Sequence, residues 1–348
     1  MSFIPRMGAD APHITSIFPA AALPGGEIEL RGSGLVPEGY QQPVATIGDV
    51  PAPVVMGHAT RVLLRVPEGA LSGNAFLRVG GKTSNALPVS IGVQAAESVH
   101  AVANPVADAD GNLYVTLSGA RGQETTVSVF QIDTQFQARA FVTGIMNATG
   151  LALDREGNLY VSSRHEGTIY RVTPSGAKSV FAEGMGVATG LAFDAEGDLY
   201  VGDRSGTIFK IAQDRQIFVF ATLEPSVSAY HLAFGPSGIL YVSGPTTSSN
   251  ECIHAIDHDG STTVYYRGLG RPQGMAFDAA GNLYVAASLQ GRRGIIKITP
   301  QKDASLVVSG PGIVGLAFLP DGNAALATQT AVYHIALGIP GHRLHGWS

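Results

Sequence analysis

GLALDREGNLYVS at residues 150–162 decides the fold, because it returns as GLAFDAEGDLYVG at 190–202 and GMAFDAAGNLYVA at 274–286. Looser copies are NPVADADGNLYVT (104–116), HLAFGPSGILYVS (231–243) and GLAFLPDGNAALA (315–327). Their turn glycines, Gly111, Gly157, Gly197, Gly238, Gly281 and Gly322, are spaced 46, 40, 41, 43 and 41 residues apart. A period of ~40–45 residues is that of a four-stranded propeller blade. Six copies therefore predict a six-bladed β-propeller over residues 93–340.

Each unit carries the chemistry its place demands. The first strand is short and small (Gly150-Leu151-Ala152), as expected where several inner strands crowd one axis. An acidic or polar residue then leads into a glycine, which turns the chain at positive φ without a Cβ penalty. Leu-Tyr-Val follows with the alternation of a strand buried on both faces. Thr168–Val172 and Thr207–Ile211 read as third strands, with shorter fourth strands around Ser179–Phe181 and Ile217–Phe220. The sixth copy ends after its third strand, near Ala331–Ile335. An open edge is a liability, so the stretch around Ser98–Ala103 is expected to supply the missing outer strand. Deletion of residues 94–103 should then unfold or aggregate the propeller.

Composition agrees with an all-β chain of two domains. The 348 residues are 45% hydrophobic and 14% charged, with 44 glycines and 20 prolines spread along the length. That is the pattern of many short strands joined by tight turns. A formal charge of −5 argues against a general nucleic-acid binder. The single cysteine, Cys252, allows no intramolecular disulfide and no four-cysteine zinc site. No apolar run is long enough for a signal peptide or a membrane span, so a cytoplasmic location is expected.

Residues 12–92 lack the repeat and read as about seven short strands between Gly/Pro turns, the scale of a small Ig-like β-sandwich. Pro24-Gly25-Gly26, Arg31-Gly32-Ser33-Gly34-Leu35, Val66-Pro67-Glu68-Gly69 and Gly81-Lys82-Thr83-Ser84-Asn85 make the segment resemble the IPT/TIG family of Ig-like domains. That resemblance implies a spacer or interaction module. Gly81-Lys82-Thr83 is not a phosphate-binding loop: five residues before Gly81 stands Phe76 rather than glycine, and no helix pattern follows.

Propeller ligands bind at the mouth of the central channel. One residue per copy stands just before the inner strand: Ala103, Thr149, Thr189, Tyr230, Gln273 and Val314. The next position, normally glycine, is Asn104 in the first copy and His231 in the fourth, which face each other across a six-fold ring. Asn147 and Arg271 lie slightly earlier in their loops. The candidate ligand-binding set is thus Asn104, Asn147, Thr149, Thr189, Tyr230, His231, Arg271 and Gln273.

The repeats also resemble NHL-repeat propellers and the senescence-marker/gluconolactonase (regucalcin-like) propellers, over roughly residues 100–338. Lactone-hydrolysing members hold a divalent cation with carboxylates and asparagine from Pro-Asn-Gly or Pro-Asp-Gly triplets. The matching triplets here are Ala148-Thr149-Gly150, Ala188-Thr189-Gly190, Ala229-Tyr230-His231 and Pro272-Gln273-Gly274. None offers Asn or Asp where a hard cation wants oxygens. No metal or other cofactor is expected, and Ca²⁺ belongs only to the alternative reading, a gluconolactonase-like metal-dependent lactone hydrolase.

His231 with Tyr230, Gln273 and Asn104 forms a metal-free acid/base candidate. The favoured reading has His231 fill the channel mouth and hydrogen-bond a loop carbonyl. Cys252, His254 and His258 share a strand and its turn, but i and i+4 of a strand lie about 13 Å apart and cannot share one ion. Arg121, Arg164, Arg204, Arg271, Arg292 and Arg293 fall in loops of the same face and suit carboxylates or phosphates. Glu124, Glu166, Glu183, Asp203, Glu224 and Glu251 are expected to cancel most of that charge. The resulting reading is a non-catalytic recognition or scaffold protein that binds a protein or a small anionic ligand at the channel face, with homo-oligomerisation the structural alternative.

Overall fold

The structure is a computed structural model describing residues 11–36, 42–246 and 251–342. The C-terminal tail with Trp347, whose docking the sequence leaves open, lies outside the described residues from position 343 onward. The fold is all-β, with no helix among the described residues. It divides into two compact units: residues up to Val93 together with Val307–Pro311, and the remainder from Gln94.

In the first unit one antiparallel sheet orders His13–Phe18, Glu27–Ser33, Arg61–Arg65 and Val54–His58. A second places Gly73–Val79 between Leu87–Ile91 and Val44–Ile47, with Val50–Ala52 beyond. Alternating residues of both sheets meet in one core, Ile28, Leu30, Val62 and Leu64 with Ile47, Ala75, Leu77 and Ile91. Glu29 is buried in this unit, and burial alone would push its carboxyl up. Hydrogen bonds from Arg31 and Arg61, both at 2.6 Å, outweigh that and hold it below its ordinary value.

The second unit is a succession of four-stranded antiparallel sheets, none closed on itself. Ala148–Leu153, Leu159–Ser163, Thr168–Val172 and Lys178–Ala182 make one, in that order. Ala188–Phe193, Leu199–Asp203, Thr207–Ile211 and Ile217–Thr222 make the next. The sheet from His231–Phe234 to Thr262–Arg267 follows the same plan, as does the one from Val106–Ala107 to Ala138–Val142. Met275–Phe277, Leu283–Leu289 and Arg292–Ile298 repeat the first three strands of that plan; Ala304–Ser309 comes next in the chain, and its residues from Val307 are counted with the first unit.

The repeated Asp and Tyr explain why the sheets form and stack. Asp154 Oδ1 accepts the N–H groups of Glu156 and Asn158, both at 2.9 Å, and Oδ2 accepts from Asn158 Nδ2 at 2.8 Å. Asp108 and Asp278 make the same turn, each also receiving a tyrosine hydroxyl from Tyr114 or Tyr284. In three of the sheets the tyrosine of the second strand meets, edge-on, the phenylalanine that ends the next sheet's first strand. Tyr160 meets Phe193 at 4.9 Å, Tyr200 meets Phe234 at 5.0 Å and Tyr284 meets Phe318 at 5.1 Å. Each such pair adds about 0.5–1.5 kcal/mol beyond area burial. Val314, Ala325, Ala327 and Val332 of the last sheet share a core with Leu113, Val115 and Ile132 of the first.

The last sheet, Ile313–Phe318, Ala324–Thr328 and Ala331–Ile335, takes its outer strand from Val93–Glu97, not from Ser98–Ala103. The strand stops there because Ser98 turns to φ 58°. Beyond it, His100 gives its carbonyl to Ser118 N–H, while Val99 and Ala101 join the core.

Candidate functional site

First strands run from one face of the second unit to the other, so the loops entering them and those between second and third strands share a face. At the start of the inner strands the backbones nearly touch. A Cβ on Gly150 would lie 2.0 Å from the Thr189 carbonyl oxygen, so only glycine fits. Where the fourth copy carries His231 and the first Asn104, the side chains enter the central space. Both line a cavity of about 110 Å³, bounded below by Leu153, Phe193, Phe234, Phe277 and Phe318.

The candidate ring residues are engaged by the fold. Thr149 Oγ1 donates to the Asn147 carbonyl at 2.9 Å. Thr189 Oγ1 donates to the Gly202 carbonyl at 2.9 Å and accepts from Tyr230 N–H at 3.1 Å. Asn104 Nδ2 donates to the Met275 carbonyl at 2.7 Å, and its Oδ1 accepts from Leu316 N–H at 3.1 Å. Tyr230 is buried with its hydroxyl on the Glu224 carbonyl, and burial pushes its pKa up to about 12. Gln273 donates its backbone N–H to Ala286, and its carbonyl accepts from Ser243 Oγ at 2.6 Å. Arg271 is exposed at φ 47°, its backbone N–H on the Glu251 carboxylate.

His231 is only 3% exposed, and burial pulls its pKa down to about 4. The loop-carbonyl hydrogen bond expected for it is absent: among the described residues nothing hydrogen-bonds its ring, which faces the cavity instead. Tyr230, the preceding residue, points to the opposite side, against Gly202 and Gly244. Asn104 and His231 therefore meet the same cavity, whereas Tyr230 and Gln273 do not complete an acid/base group around them.

Asn147 has a different role. Its Oδ1 accepts from Gly122 N–H at 2.8 Å and its Nδ2 donates to the carbonyls of Gly119 and Ala120 at 2.9 and 2.8 Å. It thereby pins the loop carrying Arg121. That loop borders a second cavity of about 520 Å³, lined by Arg121, Asn147, Arg164, His165, Asp203, Arg204 and Ser205 among others. Gly186 closes one wall: a Cβ there would stand 2.8 Å from the Asp203 carboxylate, which accepts from Val187 N–H at 2.8 Å.

The expected cancellation of charge is only partial at this cavity, where Asp203 is the acidic side chain in the lining among the described residues. Among the described residues no carboxylate lies within ion-pair distance of Arg121, Arg164 or Arg204. Glu166 instead accepts from the Tyr170 hydroxyl at 3.0 Å. Burial, reinforced by the like charges of Arg204 and Arg121, lowers the pKa of Arg164. Arg271, Arg292 and Arg293 are not part of the cavity. His165 and Ser205 escape a reading of single positions. The signal that finds them is the repeat itself, which sets Arg164-His165 and Arg204-Ser205 at matching offsets of 40 residues.

Cys252 Sγ lies 3.2 Å from His254 Nε2, while His258 stands beside Gly238 in the turn at the strand's far end. Burial pushes the Cys252 thiol up and the His254 imidazole down, so the pair is neutral. Among the described residues no three or more His, Cys, Asp or Glu side chains are grouped to hold a metal ion. The oxygens that a cation at the channel mouth would need, those of Thr149, Thr189 and Asn104, already serve backbone groups. The donor set does not fit the cation that the gluconolactonase resemblance implies.

No family model and no curated protein matches the chain. Solved structures do. A gluconolactonase from Xanthomonas campestris is similar over 85% of this chain and 97% of its own, at 14% identity and TM-score 0.61. A luciferin-regenerating enzyme is similar over 73% of this chain and 98% of its own, at 16% identity and TM-score 0.58. An auxiliary nutrient binding protein from Bacteroides ovatus is similar over 94% of this chain and 97% of its own, at 13% identity and TM-score 0.55. These likenesses define a propeller-type, gluconolactonase-like fold.

Proposed function

We propose that the chain is a recognition protein, an Ig-like module followed by a six-bladed propeller, which captures a ligand on the loop-bearing face without turning it over. The observation that carries this reading is the engagement of the channel mouth. Thr149, Thr189 and Asn104 direct their polar atoms to the backbone, and His231 is a buried neutral imidazole with no carboxylate beside it. General acid/base work needs a group poised near the working pH and within reach of substrate, and a Ca²⁺ site needs six to eight free oxygens. The likeness to an auxiliary nutrient binding protein spans 94% of this chain, which agrees with a binding role.

The alternative is a gluconolactonase-like hydrolase. Calorimetric titration of chelator-treated protein with calcium and zinc, paired with a lactone-hydrolysis assay, separates the two. The recognition reading predicts no saturable heat and no turnover. Micromolar metal binding with metal-dependent turnover would overturn it.

A further inference from the structure

We propose that the pocket between Arg121, Arg164 and Arg204 binds a small organic molecule carrying two or more anionic oxygen groups. The inference rests on the recognition reading and gives it a ligand class. The three arginines all come from loops between the second and third strands of consecutive sheets. Arg164 and Arg204 follow the second strands of adjacent sheets at equivalent positions, while Arg121 is carried by the loop that Asn147 pins.

Each guanidinium has five N–H donors in a fixed fork, and the fold uses few of them. Arg164 gives one Nη2 hydrogen bond to the Gly119 carbonyl at 3.1 Å. Arg204 reaches the Ser226 and Val227 carbonyls at 3.4 and 2.9 Å. These bonds aim the side chains without neutralising them. The Arg164 Nε–H is shut off from solvent and has no hydrogen-bond partner. A buried donor left unmade is a cost that native folds rarely carry without a reason.

Among the described residues one acidic side chain lines the pocket, Asp203, and it accepts from Val187 N–H and Ser205 O–H without forming an ion pair with any of the arginines. Three positive charges therefore share one concave space with a single carboxylate, which leaves the pocket with a net positive charge. Arginine forks match carboxylate and phosphate oxygens in pairs. At about 520 Å³ the space exceeds what a single inorganic ion fills and falls within the usual ~300–1,000 Å³ of small-molecule sites. His165 and Ser205 add neutral polar groups for the remainder of such a ligand.

The test is calorimetry on the full chain at low salt with citrate, succinate, acetate and inorganic phosphate. Citrate should bind saturably below millimolar concentration, with affinity falling at least tenfold from citrate to acetate and weakening as salt rises. Arg164→Gln and Arg121→Gln should each lose at least tenfold for citrate, while Arg293→Gln, on an exposed residue outside the pocket, should bind as the parent does. Arg121 is exposed and its side chain makes no hydrogen bond among the described residues, so its variant keeps the fold and remains informative if Arg164→Gln does not. Phosphate tighter than succinate assigns phosphate esters, and the reverse assigns carboxylates. No saturable binding of citrate or phosphate, or unchanged citrate binding in both arginine variants, would overturn the site. Metal-dependent lactone turnover would break the recognition reading while leaving this site standing, so the two failures are distinct.

Discussion

The channel and the arginine pocket belong to the same unit and treat their polar groups in opposite ways. Along the channel, hydroxyls and amides close hydrogen bonds with the backbone, and burial lowers the pKa of both histidines that line the cavity, His231 and His342. In the pocket, three arginines are brought close together, Arg164 and Arg204 by carbonyl contacts that leave most of their donors open and Arg121 by the loop that Asn147 pins. Engaged groups stabilise a fold and have little left to offer a ligand. Unengaged charges raise the energy of the free protein and lower it when an anion arrives.

The largest effect expected from this contrast is a pH dependence at His231. An unfolded imidazole takes up its proton near 6.5, whereas the folded one does so near 4. The unfolded state therefore binds more protons between those values, and stability falls as pH drops through that window, at up to about 1.4 kcal/mol per unit. The total at this site is about 3 kcal/mol, present above pH 6.5 and gone below pH 4. Urea unfolding from pH 7.5 to 4 should show the limb, and His231→Phe should flatten it. His254 and His342, also lowered by burial, leave a shallower slope of the same sign.

Comparable in size is Asn104→Ala. It strands the Met275 carbonyl and the Leu316 N–H, for about 2–6 kcal/mol at about 1–3 kcal/mol per unsatisfied group. Thermal unfolding should record the loss, with citrate affinity unchanged. The smallest effect has the opposite sign. Arg121→Gln should stabilise the anion-free protein by about 0.2–1 kcal/mol at low salt, because it removes repulsion at an exposed charge. That gain should vanish at high salt or saturating citrate. A destabilised Arg121→Gln at low salt would show that the pocket is already neutralised and blur the contrast.

Much of the architecture was legible in the repeat. The spacing of Gly157 and Gly197 locates the turns, and Asp154 and Tyr160 announce the turn bonds and the stacking that the structure displays. The outer strand of the last sheet was legible only approximately, because the φ of Ser98 depends on packing that no period records. The channel ring was legible by position but not by state: Thr149 and Thr189 look available until their backbone partners are known. Asp203 and Glu166 look like counter-ions to Arg204 and Arg164 in sequence. Only folding shows that they turn toward Val187 and Tyr170.

The most direct test of the contrast is anomalous diffraction from a crystal soaked in 2-bromosuccinate. The account predicts a bromine peak within the space between Arg121, Arg164 and Arg204 and none at the channel mouth. A peak beside His231 and Asn104, with the arginine pocket empty, would contradict it.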